Sequence, residues 1–162
     1  MIKIEKLGAD RWQDYRDLRL EALQSEPLAY ASSYEEEKSY PEAVWRDRIN
    51  NALFAIENDK PVGMAVVFRN TLTKTNHVCE IYAVYVRREY RGQGIGKKMI
   101  EAALAEIQNL KGVTKVKIGV NPAQKAAGHI YRKYGFKAVG QLKKEMHIDG
   151  KFYDEVWMEK LL

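Results

Sequence analysis

In "YVRREYRGQGIGKKMI", Gly92, Gly94 and Gly96 alternate, with Arg87, Arg88 and Arg91 before them and Lys97 and Lys98 after. Glycine lowers the steric barrier to unusual φ/ψ, so backbone N–H groups can converge and an anion can approach the main chain. A helix starting at such a turn adds about half a positive charge at its N-terminus. The chemistry indicated is phosphate binding. Spacing excludes two common phosphate loops. A P-loop needs Gly-Lys followed by Ser or Thr to hold magnesium, and here Gly96-Lys97 is followed by Lys98. A dinucleotide fingerprint needs Gly-x-Gly-x-x-Gly on an early strand of a parallel sheet, and Gly92-Gln93-Gly94-Ile95-Gly96-Lys97 has other spacing.

Few other reactive side chains compete for attention. Cys79 is the only cysteine, so no disulfide forms within the chain, and its place in an apolar run predicts a buried thiol. His77, His129 and His147 lack metal-ligand spacing, and no metal is expected. His129 stands two residues from Tyr131, so the two would point to different faces of a helix, His129 towards solvent.

The elements that must position the glycine loop follow from periodicity. "ADRWQDYRDLRLEALQSEP" spaces Trp12, Tyr15, Leu18 and Ala22 as a helix, with Asp10 as N-cap and Pro27 beyond its end. "PLAYASSYEEEKS" reads as a loop with some helix, and "SYPEAVWRDRINN" as a second short helix. "ALFAIEN" and "PVGMAVVFRN" are two strands joined through Asn58-Asp59-Lys60, and "HVCEIYAVYV" is a β-branched and aromatic strand. After the glycines comes a helix through "KKMIEAALAEIQNL", closed by Gly112. "VTKVKIGV" is a strand, and "NPAQKAAGHIYRKY" a helix with Pro122 in its first turn and Gly135 past its end. "QLKKEMHI" and "KFYDEVWMEKL" form a hairpin around Asp149-Gly150. No linker or repeat interrupts this order, which predicts one α/β domain over residues 1–162 with a mixed sheet.

At this point the sequence resembles a known family. Arg91-x-x-Gly94-x-Gly96 is similar to the pyrophosphate motif of the GNAT superfamily of acetyl-CoA-dependent N-acetyltransferases, and "AAGHIYRKYGF" resembles its Ala-x-x-Leu-Tyr-x-x-x-Gly-Phe segment. The element order matches over nearly the whole chain. The resemblance implies a GNAT fold whose central sheet splays between its fourth and fifth strands, here "HVCEIYAVYV" and "VTKVKIGV", with flanking helices. Acetyl-CoA is implied as cosubstrate, lying in that V. Pantetheine would pair with backbone at Val84, Tyr85 and Val86, where a freed N–H also faces the thioester oxygen. Arg91, Gly92, Gln93, Gly94, Ile95, Gly96 and Lys97 would hold the pyrophosphate. The family often carries asparagine where Gln124 stands, and Asn121 is the neighbouring source of an amide.

The same resemblance implies roles in the chemistry. Glu80 stands where several family members place a general base, which must take a proton from an amine of pKa near ~10. Tyr131 matches the tyrosine that protonates the leaving thiolate, and it would also contact the cofactor. No side chain suits an acyl-carrying nucleophile, since Cys79 would face away from Glu80, so attack is direct in a ternary complex. The acceptor is a primary amine, small or on a protein, under the segment "PLAYASSYEEEKSY" and the hairpin from Lys143 to Asp154. Glu35, Glu36 and Glu37 are expected on a solvated helix face rather than at a cation site.

Composition bounds the alternatives. The net charge of +5 hints at an anionic partner, but acids and bases are mixed along most of the chain, and a nucleic-acid role is not expected. No apolar run approaches the ~20 residues of a membrane span, and the start lacks signal-peptide features, so cytoplasm is the expected location. A homodimer stays open. The alternative within the fold is a non-catalytic acyl-CoA sensor, against which both Glu80 and Tyr131 stand.

Overall fold

The computed structural model describes all 162 residues. Seven strands form one mixed sheet: β1 (Lys3–Glu5), β2 (Ala52–Glu57), β3 (Lys60–Arg69), β4 (Val78–Val86), β5 (Lys115–Val120), β6 (Lys137–Ile148) and β7 (Lys151–Leu161). Their order is β1-β2-β3-β4-β5-β7-β6, antiparallel except for β4 beside β5. The helices are α1 (Trp12–Ser25), α2 (Tyr34–Glu37), α3 (Glu42–Arg48), α4 (Ile95–Gln108) and α5 (Lys125–Lys133).

Alternation along the strands buries both faces of the sheet's first half. One face packs against α4 and α5 in a core holding Ile81, Met99, Ile118, Tyr131 and Phe136. The other packs against α1 and α3, where Tyr15 meets Trp45 and Phe54 edge-on at 5.8 and 5.9 Å.

Two features of β4 shape the site. First, its pairing with β5 stops after Val78–Glu80 against Lys115–Lys117, although both strands continue. The expected splay is therefore present. Second, a bulge lies opposite β3, where Met64 faces Tyr85 but Val66 faces Tyr82. Ala83 absorbs it with φ +53°. An extra residue reverses the facing of everything beyond it. Cys79 and Ile81 thus face the α4 core, while Ala83 and Tyr85 belong to the α1 core.

Local differences from the sequence pattern have identifiable causes. Asp10 is not the N-cap of α1; it lies in a 3₁₀ turn, Ala9–Arg11, and Arg11 takes the cap position. Pro122 is not in a helix. The Asn121 side chain accepts the Ala123 N–H at 2.9 Å, an Asx turn that delays α5 to Lys125. The short strand β1 was not legible, because three residues carry no period and its partner β2 lies far along the chain.

Glu37 corrects the solvated acidic face. Glu35 and Glu36 are exposed, but Glu37 is fully buried, bound by both Arg19 Nε (3.0 Å) and Nη2 (2.8 Å), with Arg48 at 3.3 Å. Burial alone would raise its pKa, but the Arg19 bonds and the charges of Arg19 and Arg48 outweigh that and lower it. Removing one partner of a buried pair strands the other's charge. Glu37→Gln should therefore cost about 3–5 kcal/mol in urea unfolding at neutral pH. A cost below about 1 kcal/mol would show that solvent reaches Arg19. Because the folded pKa is lowered, the carboxylate's contribution is whole above the ordinary glutamate value of about 4.3 and is lost as pH falls below it.

Candidate active site

The chain leaves β4 at Val86, makes a 3₁₀ turn over Arg88–Tyr90 and enters α4 through the glycines. Gly92 (φ +78°) and Gly94 (φ +76°) take the left-handed conformation, and Gly94 is the N-cap of α4. Gly96, inside α4, faces α5, where a Cβ would meet Ile130 Cδ1 at 3.4 Å. A helix's first N–H groups have no partner within it. Ile95, Gly96 and Lys97, which carry such groups, line a cavity of about 700 Å³.

That cavity runs from the glycine loop to the split between β4 and β5. It gathers most of the sequence-predicted cofactor residues: 84–86, Arg91, Gly92, 94–97 and Gln124. Gln93 is not among them; it is exposed, and its amide donates to the Glu89 carbonyl at 3.4 Å. Asn121 lies just outside, 6% exposed, with Nδ2 unpartnered. It lines an adjoining cavity that shares Gln124 and Lys125 with the first.

The charge around the loop is less free than the sequence suggests. Arg87 pairs with Glu21 at 2.8 Å, and Arg91 pairs with Glu26 at 2.8 Å while donating to the Val86 carbonyl at 2.9 Å. Arg88 stands 3.7 Å from Glu26. Lys97 and Lys98 remain exposed beside the helix start.

The connection after α1 was expected over the acceptor, yet Glu26, Ala29 and Tyr30 form part of the cofactor-side wall. The Tyr30 hydroxyl donates to the Val84 carbonyl at 3.1 Å. Nothing local in the sequence marks this contact, which joins residues 54 apart.

The two candidate catalytic residues flank the split from opposite faces of the sheet, and neither lines the main cavity. Glu80 is half-buried on the face away from α4, 3.8 Å from Lys117. Burial raises its pKa, and Lys117 partly offsets this. Tyr131, on α5, is 5% exposed in the α4-side core, one residue beyond the cavity-lining Ile130. Phe136 meets its ring at 6.2 Å. Burial alone pushes its phenol up to about 12, with no hydrogen-bonding group contributing. Cys79 is fully buried, with its thiol raised first by desolvation, and His129 is exposed. No group of three or more His, Cys, Asp or Glu is placed to hold a metal, and no helix is long and apolar enough to cross a membrane.

Similarity to known proteins agrees with this arrangement. Residues 12–136 match the acetyltransferase (GNAT) family model. An uncharacterized N-acetyltransferase of Methanocaldococcus jannaschii is 31% identical over 93 residues, 56% of this chain and 41% of that protein. Spermidine N(1)-acetyltransferase of Escherichia coli K12 is 28% identical over 89 residues, 54% of this chain and 48% of the enzyme. The match thus spans less than half the length of either relative. The structure of yncA from Salmonella typhimurium, solved with acetyl-CoA, superposes with a TM-score of 0.83 at 17% identity, covering 100% of this chain and 94% of that one. A glycine turn capping α4, a sheet split beside it and a family match across both show that this chain belongs to the acetyltransferase (GNAT) family.

Proposed function

We propose that the protein is an N-acetyltransferase that moves an acetyl group from acetyl-CoA to a primary amine. One observation carries the reading: the first residues of α4, whose N–H groups have no partner in the helix, and the end of β4 that no longer pairs with β5, Val84–Val86, line the same cavity. That is the pairing an extended pantetheine ending in a pyrophosphate requires. The orphan Asn121 Nδ2 beside it supplies a further donor. Acetyl-CoA, when bound, supplies the thioester.

The chain's own residues supply positioning and proton handling. Residues 94–97 hold the pyrophosphate, and the split holds the donor extended. Glu80, directly or through a water, takes a proton from the acceptor amine on one face of the sheet. Tyr131, on the other, gives a proton to the departing sulfur. Burial pushes the phenol up to about 12, so it is protonated at neutral pH and has its proton to give.

The test is a thiol-release screen of the purified protein with acetyl-CoA against small amines and peptides. Polyamines lead the panel, since one relative is a spermidine acetyltransferase. Turnover with at least one amine is expected. Acetyl-CoA binding without thiol release from any of them would leave an acyl-CoA sensor instead.

Tyr131→Phe keeps the ring against Phe136 and removes only the donor. Acetyl-CoA affinity should hold while kcat falls roughly 10²-fold, and the defect should shrink with a donor whose thiol is more acidic. Wild-type kcat with both donors would remove Tyr131 from the chemistry.

A further inference from the structure

Beyond β4, the face of the sheet that carries Glu80 is not covered by α4 and α5, which pack on the opposite side. On this face β5 presents Lys117 and Gly119, and β7 presents Glu155 and Trp157, all half-exposed. The register fixes their neighbours: Glu80 lies beside Lys117, and Gly119 beside Trp157. The Lys117 ammonium sits 5.0 Å over the Trp157 ring and 3.8 Å from the Glu80 carboxylate.

Glu155 does not stand up from β7 but leans across β5. A Cβ at Gly119 would lie 2.7 Å from its Oε1 and 3.1 Å from its Cδ. The carboxylate therefore rests on the main chain of β5, in space that only a glycine leaves open. β4 and β5 stop pairing at Glu80 and Lys117, so Gly119 already lies within the split. Glu80 borders the opening from the β4 side and Glu155 from the β7 side.

We propose that Glu155 is the second carboxylate of the acceptor site and shares with Glu80 the protons that leave the acceptor amine. This rests on the acetyl-transfer reading and extends it. The chemistry gives two carboxylates separate work. An ammonium loses two N–H protons in becoming an amide, one before its lone pair forms the C–N bond and one after. The electrons of the broken C–S bond leave with sulfur, which takes a proton from Tyr131. Both nitrogen protons leave through the carboxylates to solvent, and Tyr131 regains its own from solvent, for a net release of one proton.

The surroundings divide the pair. Burial raises the pKa of Glu80, and the Lys117 ammonium 3.8 Å away opposes that rise. Glu155 has no cation partner: burial first, then the negative charges of Glu145 on β6 and Glu80 on β4, raise its pKa, while a hydrogen bond with Trp157 opposes them. Two like charges at one site do not ionise together readily, and because Lys117 stands beside Glu80 while Glu155 has no cation partner, Glu155 is the member placed to take the shared proton.

The test combines carboxyl-carbon NMR titration of the full chain with pH–rate profiles of the wild type, Glu155→Gln and Gly119→Ala. Thermal melting confirms that each variant is folded. The Glu155 resonance should titrate above the ordinary value of about 4.3 and move down towards it in Glu80→Gln. Glu155→Gln should lower kcat at least about tenfold, shift the acidic limb to lower pH and leave acetyl-CoA affinity unchanged. Gly119→Ala, which displaces the carboxylate without altering charge, should do the same in smaller measure. A Glu155 that titrates ordinarily and ignores Glu80→Gln overturns the pair. So does wild-type kcat with an unmoved limb in Glu155→Gln. Absence of thiol release from the wild type with every amine overturns the acetyl-transfer reading, and with it the catalytic use of the pair.

Discussion

Gly94→Asp weakens acetyl-CoA binding at least 100-fold and leaves the chain folded. The residue is the N-cap of α4 in the left-handed region, which aspartate tolerates better than most side chains. A Cβ built there meets no atom within 4 Å, so the side chain enters the cavity rather than the core. At a helix N-terminus a carboxylate is itself favourable and accepts the free N–H groups. Those same donors are the ones the pyrophosphate needs. The substitution thus fills the anion site with an anion, and repulsion adds to the loss. Calorimetry should show affinity reduced at least 100-fold, about 2.7 kcal/mol or more, with an unchanged melting profile. Wild-type affinity in a folded variant would mean that the pyrophosphate does not lie at the start of α4.

Glu80→Gln lowers turnover by roughly 10²–10⁴ with acetyl-CoA affinity nearly unchanged. Glutamine keeps the shape and the half-buried packing on β4 but cannot take a proton from an ammonium. Because burial raises the Glu80 pKa against the opposing charge of Lys117, the acidic limb of the wild-type profile should lie above the ordinary carboxylate value of about 4.3. Activity rises with pH through that limb, since only the deprotonated form accepts the proton. In Glu80→Gln the remaining titration belongs to Glu155, freed of one like charge, so the limb should move to lower pH. Unchanged turnover and an unmoved limb would make Glu80 a structural partner of Lys117 and nothing more.

The sequence by itself determined whatever depends on local chemistry. The tight turn before "PVGMAVVFRN" and the β-branched and aromatic content of "HVCEIYAVYV" placed β3 and β4. Asp149 and Gly150 both take positive φ, as their hairpin turn requires, and the element order set the fold class. The glycine loop was readable for the same reason, since left-handed backbone at Gly92 and Gly94 imposes a residue type that stands out in the chain. The tertiary structure alone decided which charges are free. Glu37 looked like one more exposed acid until Arg19, eighteen residues away, buried it. Arg87 and Arg91 looked available until Glu21 and Glu26 of the α1 segment paired with them. Glu155 reads as a hairpin residue, and only the β5–β7 register lays it over Gly119 at the split. A periodic pattern reports which face a side chain takes, because backbone geometry is local. A partner's identity is set by strands and helices brought together from distant parts of the chain, and no short stretch of residues carries that information.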